Sequence, residues 1–274
     1  MRRAIAYLVF ALFLAPCAAA GQPLELFFYS PEFAPANLGI LQTSVEAYLK
    51  ARHLSAHFQA FARYEDLRSE FAKRQVSFAI LPPWIAERQC LGRSLTAIAE
   101  PVRNGSSLDR KILVASKHAA GNLRSASVAV SGPRGLGGAA PPLLGEFVSS
   151  HPKARIINVP KDVDALLAVS FGQVEAAFVS SAQFETLARI NPAMTAMLEE
   201  TGYTAESPFP RLYATDAATA QRIAEMTEAA VSMGESDDGK RLLRLMGYDQ
   251  WRPVDAKDRL VRTPCPSDGE ETKR

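Results

Sequence analysis

The chain alternates short apolar runs with longer stretches whose apolar residues recur at helical spacing. Leu24–Tyr29 (LELFFY) is an apolar run with one acid, Glu25, closed by Ser30-Pro31, and it reads as a short buried strand. Residues 38–49 carry apolar positions every three or four residues and predict a helix. Residues 57–61 follow as a second strand, and Tyr64–Lys73 as a second amphipathic helix. VSFAIL at 76–81 predicts a third strand that stops at Pro82-Pro83, because proline has no N–H for the sheet ladder. This β-α-β-α-β alternation implies a parallel sheet covered by helices.

After Glu100-Pro101 and the turn Asn104-Gly105-Ser106-Ser107 the alternation begins again. Strands are predicted at Lys111–Ser116, 128–130, 156–159 and 176–179, and helices around 142–149, 163–171 and 182–190. A strand at 211–214 and helical patterns at 217–233 and 239–246 complete the chain. The fold class expected is α/β in two lobes: 21–112 plus 213–265 form the first, 113–212 the second, and 266–274 a disordered tail. Open α/β sheets bind ligands beyond the carboxyl ends of their strands, which nominates the loops 30–35, 82–84, 131–139 and 180–183.

The first twenty residues set the compartment. Arg2 and Arg3 precede a 12-residue apolar run, and Ala18-Ala19-Ala20 stands before Gly21, the pattern of a cleavable secretory signal peptide. A spanning helix needs about 20 apolar residues, so no membrane insertion is expected after cleavage. Leu14-Ala15-Pro16-Cys17 is similar to a lipobox except for Pro16. Cleavage after Ala20 removes Cys17 and leaves Cys90 and Cys265, for which a disulfide is expected in an oxidising compartment; two separate thiols are the alternative. The 31 Lys and Arg against 29 Asp and Glu become balanced once Arg2 and Arg3 are lost, which argues against nucleic acid as a partner.

Candidate chemistry is sparse. Four scattered histidines (His53, His57, His118, His151) and two cysteines lack zinc-site spacing, so no metal is expected. Gly135-x-Gly137-x-x-Ala140 is a variant dinucleotide fingerprint, but it lies at mid-chain and Pro141-Pro142 interrupts the helix it would open; no cofactor is expected. There is no nucleophile elbow and no His-Glu-x-x-His, and the paired acids Glu199-Glu200 and Asp237-Asp238 fall where helix ends are expected. The reading is a non-enzyme.

Three segments carry a resemblance: FAILPPW at 78–84, LLAVSFGQVEAAFVSS at 166–181 and GKRLLRLMGYDQWRPVD at 239–255. In this order and spacing they resemble the phosphate/phosphite/phosphonate-binding proteins of bacterial ABC importers, a family with the type II periplasmic binding-protein fold. The resemblance spans essentially the whole mature chain. It implies a monomeric Venus-flytrap protein of the periplasm, with crossovers near 112–116 and 208–213. Such a protein captures a small oxyanion (phosphate- or phosphonate-like) or an organic acid and delivers it to ABC permease subunits. The alternative is a sensory or accessory protein that kept the fold and lost phosphonate recognition, acting on a membrane sensor kinase.

The candidate ligand residues follow from the strand-end loops and the resemblance together. The family's Ser/Thr cluster is replaced here by Ser131-Gly132-Pro133-Arg134-Gly135-Leu136-Gly137-Gly138. Ser131, Gly135, Gly137 and Gly138 would allow close approach of backbone N–H groups, and Arg134 would offer a bidentate donor. Asp162 stands where relatives often carry His; it would repel an anion, or else serve as an N-cap before Val163. Pro83 and Trp84 would wall the pocket, and Tyr64 would offer a ring or hydroxyl or simply cover the surface. Ser30 and Phe33 lie on the first loop with Glu32, and Ser180 and Ser181 would be neutral donors or helix caps.

Overall fold

The computed structural model describes residues 23–31, 35–88, 91–132, 144–255, 257 and 260–261. The segment expected to be a signal peptide, Glu32, Phe33, Cys90, residues 133–143 with Arg134, Gly135, Gly137 and Gly138, Cys265 and residues 266–274 lie outside the described residues. With both of its cysteines there, the Cys90–Cys265 bridge has no support in the structure.

A first sheet is entered through β1 (Leu24–Tyr29), β2 (Ala56–Phe61), β3 (Phe78–Leu81) and β4 (Leu95–Val102). The chain then crosses by β5 (Leu108–Asp109) to a second sheet of β6 (Lys111–Ser116), β7 (Ser127–Ser131), β8 (Arg155–Val159), β9 (Ala176–Ser180) and β10 (Leu198–Tyr203). It returns by β11 (Ser207–Pro208) to β12 (Arg211–Thr215), β13 (Gln250–Pro253) and β14 (Leu260–Val261). The first sheet runs β13-β4-β12-β3-β1-β2 with β14 also on β4, the second runs β10-β6-β9-β7-β8, and β5 pairs only with β11. Strands β1, β2 and β3 are mutually parallel, as are β7, β8 and β9, whereas β12 and β6 enter antiparallel.

Period-two alternation between two covered faces explains why β1 and β3 are almost wholly apolar. Leu26 and Phe28 of β1 and Phe78 and Ile80 of β3 face one core, under the helices α1 (Pro35–Ala51), α8 (Ala220–Val231) and α9 (Asp237–Met246). Phe27 and Tyr29 with Ala79 and Leu81 face the other, under α2 (Tyr64–Lys73) and α3 (Pro83–Arg88). The second sheet repeats this: Ala129, Ala177 and Val179 pack against α5 (Asp162–Ser170), while Val128, Val130 and Phe178 pack with Phe147 of α4 (Gly145–Ser150). Helices α6 (Ser181–Ile190) and α7 (Pro192–Thr195) complete the second lobe.

Two elements depart from the sequence reading. Glu100-Pro101 is not a break but part of β4, the second strand in the first sheet's order. The buried Glu100 is held by two arginines, accepting on Oε2 from Arg211 (2.7 and 3.0 Å) and on Oε1 from Arg252 (2.9 Å), and Pro101 sits near the strand end opposite Trp251. Glu199-Glu200 lies on the edge strand β10, not at a helix end; both carboxylates face solvent. Asp237 and Asp238 do open a helix, α9. The passages between sheets fall at 103–110 and 204–210; residues 112–116, expected as a crossover, lie within β6.

Candidate functional site

Strand ends from both sheets meet at one open cleft. The first sheet brings Ser30 and Pro31 after β1 and Pro82 and Trp84 after β3; the second brings Val130 and Ser131 at the end of β7. The passages between the sheets add Asp109, Arg110 and Lys111 from one side and residues 207–210 from the other.

Loops of the two sheets touch across this cleft. The Asp162 N–H donates to the Pro31 carbonyl at 3.3 Å. The Trp84 indole lies against Gly132, where a Cβ would stand 3.3 Å from Trp84 Cη2. Gly132 has φ of +147°, a conformation open chiefly to glycine, so both its backbone and the indole require the missing side chain.

Asp162 is the centre of the polar network. It is completely buried in the first turn of α5, and the N-cap position belongs to Lys161, so Asp162 is not the cap expected before Val163. Its Oδ1 accepts from Lys111 Nζ at 2.7 Å and from the Ser131 hydroxyl, and its Oδ2 accepts from the Ser180 N–H at 2.7 Å. Lys111 Nζ also donates to Ser131 Oγ at 3.1 Å. The Ser180 hydroxyl caps α6 by accepting from the Gln183 N–H at 3.3 Å. The helix dipole of α5 favours the same carboxylate.

Burial shifts several groups around the cleft. It raises the Asp109 carboxyl, with Asp162 adding to the effect and Arg103, Lys111 and the Arg110 N–H opposing it. It raises the Tyr29 phenol, helped by Glu65, Tyr64 and Asp162, and pushes Tyr64 up to about 12. Arg110 places its guanidinium 4.1 Å over the Tyr203 ring.

Of the nominated residues, Ser30, Trp84 and Ser131 come together on the cleft wall. Pro83, the first residue of α3, is buried between Pro82 and Trp84 but does not itself line the cleft. Tyr64 is a buried core residue, edge-on to Tyr29 at 6.2 Å, with its hydroxyl unpartnered among the described residues; it is neither surface cover nor part of the wall. Ser180 reaches the site through its backbone N–H, and Ser181 opens α6 off the wall. Lys111, Asp109 and Arg110 were not anticipated. Their only signal is position, at the start of a strand beside a chain crossing, and no local motif marks it. Among the described residues no group of three or more His, Cys, Asp or Glu is placed to hold a metal, and no helix is long and apolar enough to cross a membrane.

A two-lobed α/β molecule with a cleft between the strand ends of its two sheets has the architecture of a periplasmic solute-binding protein. The family profile described as "ABC transporter, phosphonate, periplasmic substrate-binding protein" matches residues 27–259, and the chain belongs to that family, whose members are transport components and not enzymes. Among solved structures, the binding protein of an ABC phosphonate transporter from Pseudomonas aeruginosa is similar at 15% identity and TM-score 0.66, covering 86% of this chain and 83% of that one. The methylphosphonate complex of PhnD1 from Prochlorococcus marinus is similar at 12% identity and TM-score 0.67, covering 86% and 93%. A histidine kinase sensor domain with similarity to periplasmic binding proteins shares the fold at 13% identity and TM-score 0.55, covering 84% and 98%. No curated protein sequence matches the chain.

Proposed function

We propose that the mature protein, released by cleavage after Ala20, is a monomeric periplasmic solute-binding protein. It captures a small oxyanion or organic acid between lobes 21–112 plus 213–265 and 113–212, and hands it to ABC permease subunits. The observation supporting this reading is the cleft itself, whose wall takes Ser30 and Trp84 from one sheet, Ser131 from the other and cations from the passage between them. Ligand contacts are assigned to Ser30, Trp84, Ser131 and Arg110. Closure on the ligand would spend binding energy on the hinge between the lobes.

The test is a thermal-shift series on the chain from Gly21 with phosphate, phosphite, alkylphosphonates, sulfonates, carboxylates and amino acids. A ligand at a hundred times its dissociation constant stabilises by about 2.7 kcal/mol, and at this chain length each kcal/mol moves the midpoint by roughly 2–4 °C. Shifts of this size with one chemical class support capture. No shift with any of them favours the second reading, an accessory or sensory protein acting on a membrane kinase. That reading draws on the buried Asp162 carboxylate, which already engages Ser131 and Lys111 of the cleft wall.

A further inference from the structure

Lys111, Ser131 and Ser180 aim an ammonium, a hydroxyl and a backbone N–H at one point in front of the first turn of α5. Such a convergence of charge-assisted and neutral donors at a helix start is what holds a free oxyanion. Here the point is occupied by the protein's own carboxylate. Asp162 is fully buried and both of its oxygens are engaged, one by Lys111 and Ser131 and the other by Ser180.

We infer that Asp162 is a built-in anion that, from behind the cleft wall, takes up the wall's donors Lys111 and Ser131, so that the ligand is a singly charged organic acid and not a phosphorus dianion. The inference rests on the capture reading above and narrows it. A dianion entering the cleft finds Lys111 and Ser131 of the wall already bonded to the Asp162 carboxylate behind them, and a carboxyl, Asp109, in the wall itself. Among the described residues Arg110 is the cation of that wall outside the Asp162 network, and one planar guanidinium matches one carboxylate. Trp84, Phe209 and the prolines 31, 82, 208 and 210 supply apolar walls for the rest of a small organic molecule.

The experiment is calorimetric titration of the full mature chain and its Asp162→Ser variant with methylphosphonate, inorganic phosphate and a series of monocarboxylates. The wild type is expected to bind neither phosphorus compound, and Asp162→Ser, with the donors released, to gain phosphate or methylphosphonate affinity of about tenfold or more, the equivalent of one charge-assisted hydrogen bond. Arg110→Ala is expected to lose monocarboxylate binding by a similar factor. Tight methylphosphonate binding by the wild type overturns the inference, as does a folded Asp162→Ser that gains nothing. If Asp162→Ser does not fold, the near-isosteric Asp162→Asn carries the test. A phosphate-induced rise in its melting temperature that the wild type does not show supports an occupied position, and an equal response in both overturns it. The two readings fail separately: a wild type that answers no ligand removes capture, while the phosphate gained on replacing Asp162 still marks the filled position.

Discussion

Asp109 lines the cleft and Asp162 is buried behind it, and their surroundings treat them differently. Asp162 has three donors, whereas Asp109 is mainly desolvated, with its proton held more tightly in the folded protein than in the unfolded chain. A raised folded-state value means stability that is present below the unfolded carboxylate range and lost as pH rises through the folded value. Asp109→Asn is therefore expected to flatten the decline in stability as pH rises above the ordinary carboxylate range, read from denaturant midpoints at a series of pH values. At this scale the sequence was legible only where a role is local. Ser30, Trp84 and Ser131 follow from the rule that strand ends carry ligands, because each stands beside its own strand. Lys111 takes its role from Asp162, 51 residues further on, and nothing near it in the chain announces that pairing.

Elements followed the hydrophobic pattern closely where helix or strand is driven by its own periodicity. β1, α2 and β6 begin and end where the apolar runs do. β4 escaped because its charge and its proline are accommodated by partners on β12 and β13, more than a hundred residues away. α9 begins two residues before the helix expected from 239, because the Ser236 hydroxyl accepts from the Gly239 N–H at 3.1 Å and caps it. Ser236→Ala is expected to cost about 1 kcal/mol, the usual value of a lost N-cap. Gly239→Ala should cost more, since its Cβ would stand 1.9 Å from the Met233 carbonyl oxygen, a backbone atom that cannot swing aside. Urea midpoints of the two variants give the order directly, and a milder effect at Gly239 would contradict the contact.

On the scale of the whole molecule, the two-lobe plan was readable because each lobe repeats the same alternation, but the meeting of the lobes was not. Contact between them depends on loops far apart in sequence, the Pro31 carbonyl against the Asp162 N–H and the Trp84 indole against Gly132. The second tryptophan, Trp251, is buried in the core beneath α8 and α9, so Trp251→Phe leaves Trp84 as the single emitter. In that background Gly132→Val is expected to separate the loops and shift Trp84 emission to longer wavelength. Unchanged emission would mean that the indole does not depend on the contact.

The passages between the sheets have a consequence for how such a molecule is assembled. β4 pairs antiparallel with β12, β5 with β11 and β6 with β10, so outgoing and returning chain run side by side from the first sheet into the second. Topologically this is one long interrupted β-hairpin, and the second lobe's remaining elements, β7–β9 and α4–α7, fill its loop. Closing that hairpin with a short turn after β5 would leave β4 and β12 still paired and the first lobe a continuous chain. The second lobe is thus a cassette carried at the tip of a hairpin, with its entry and exit already adjacent.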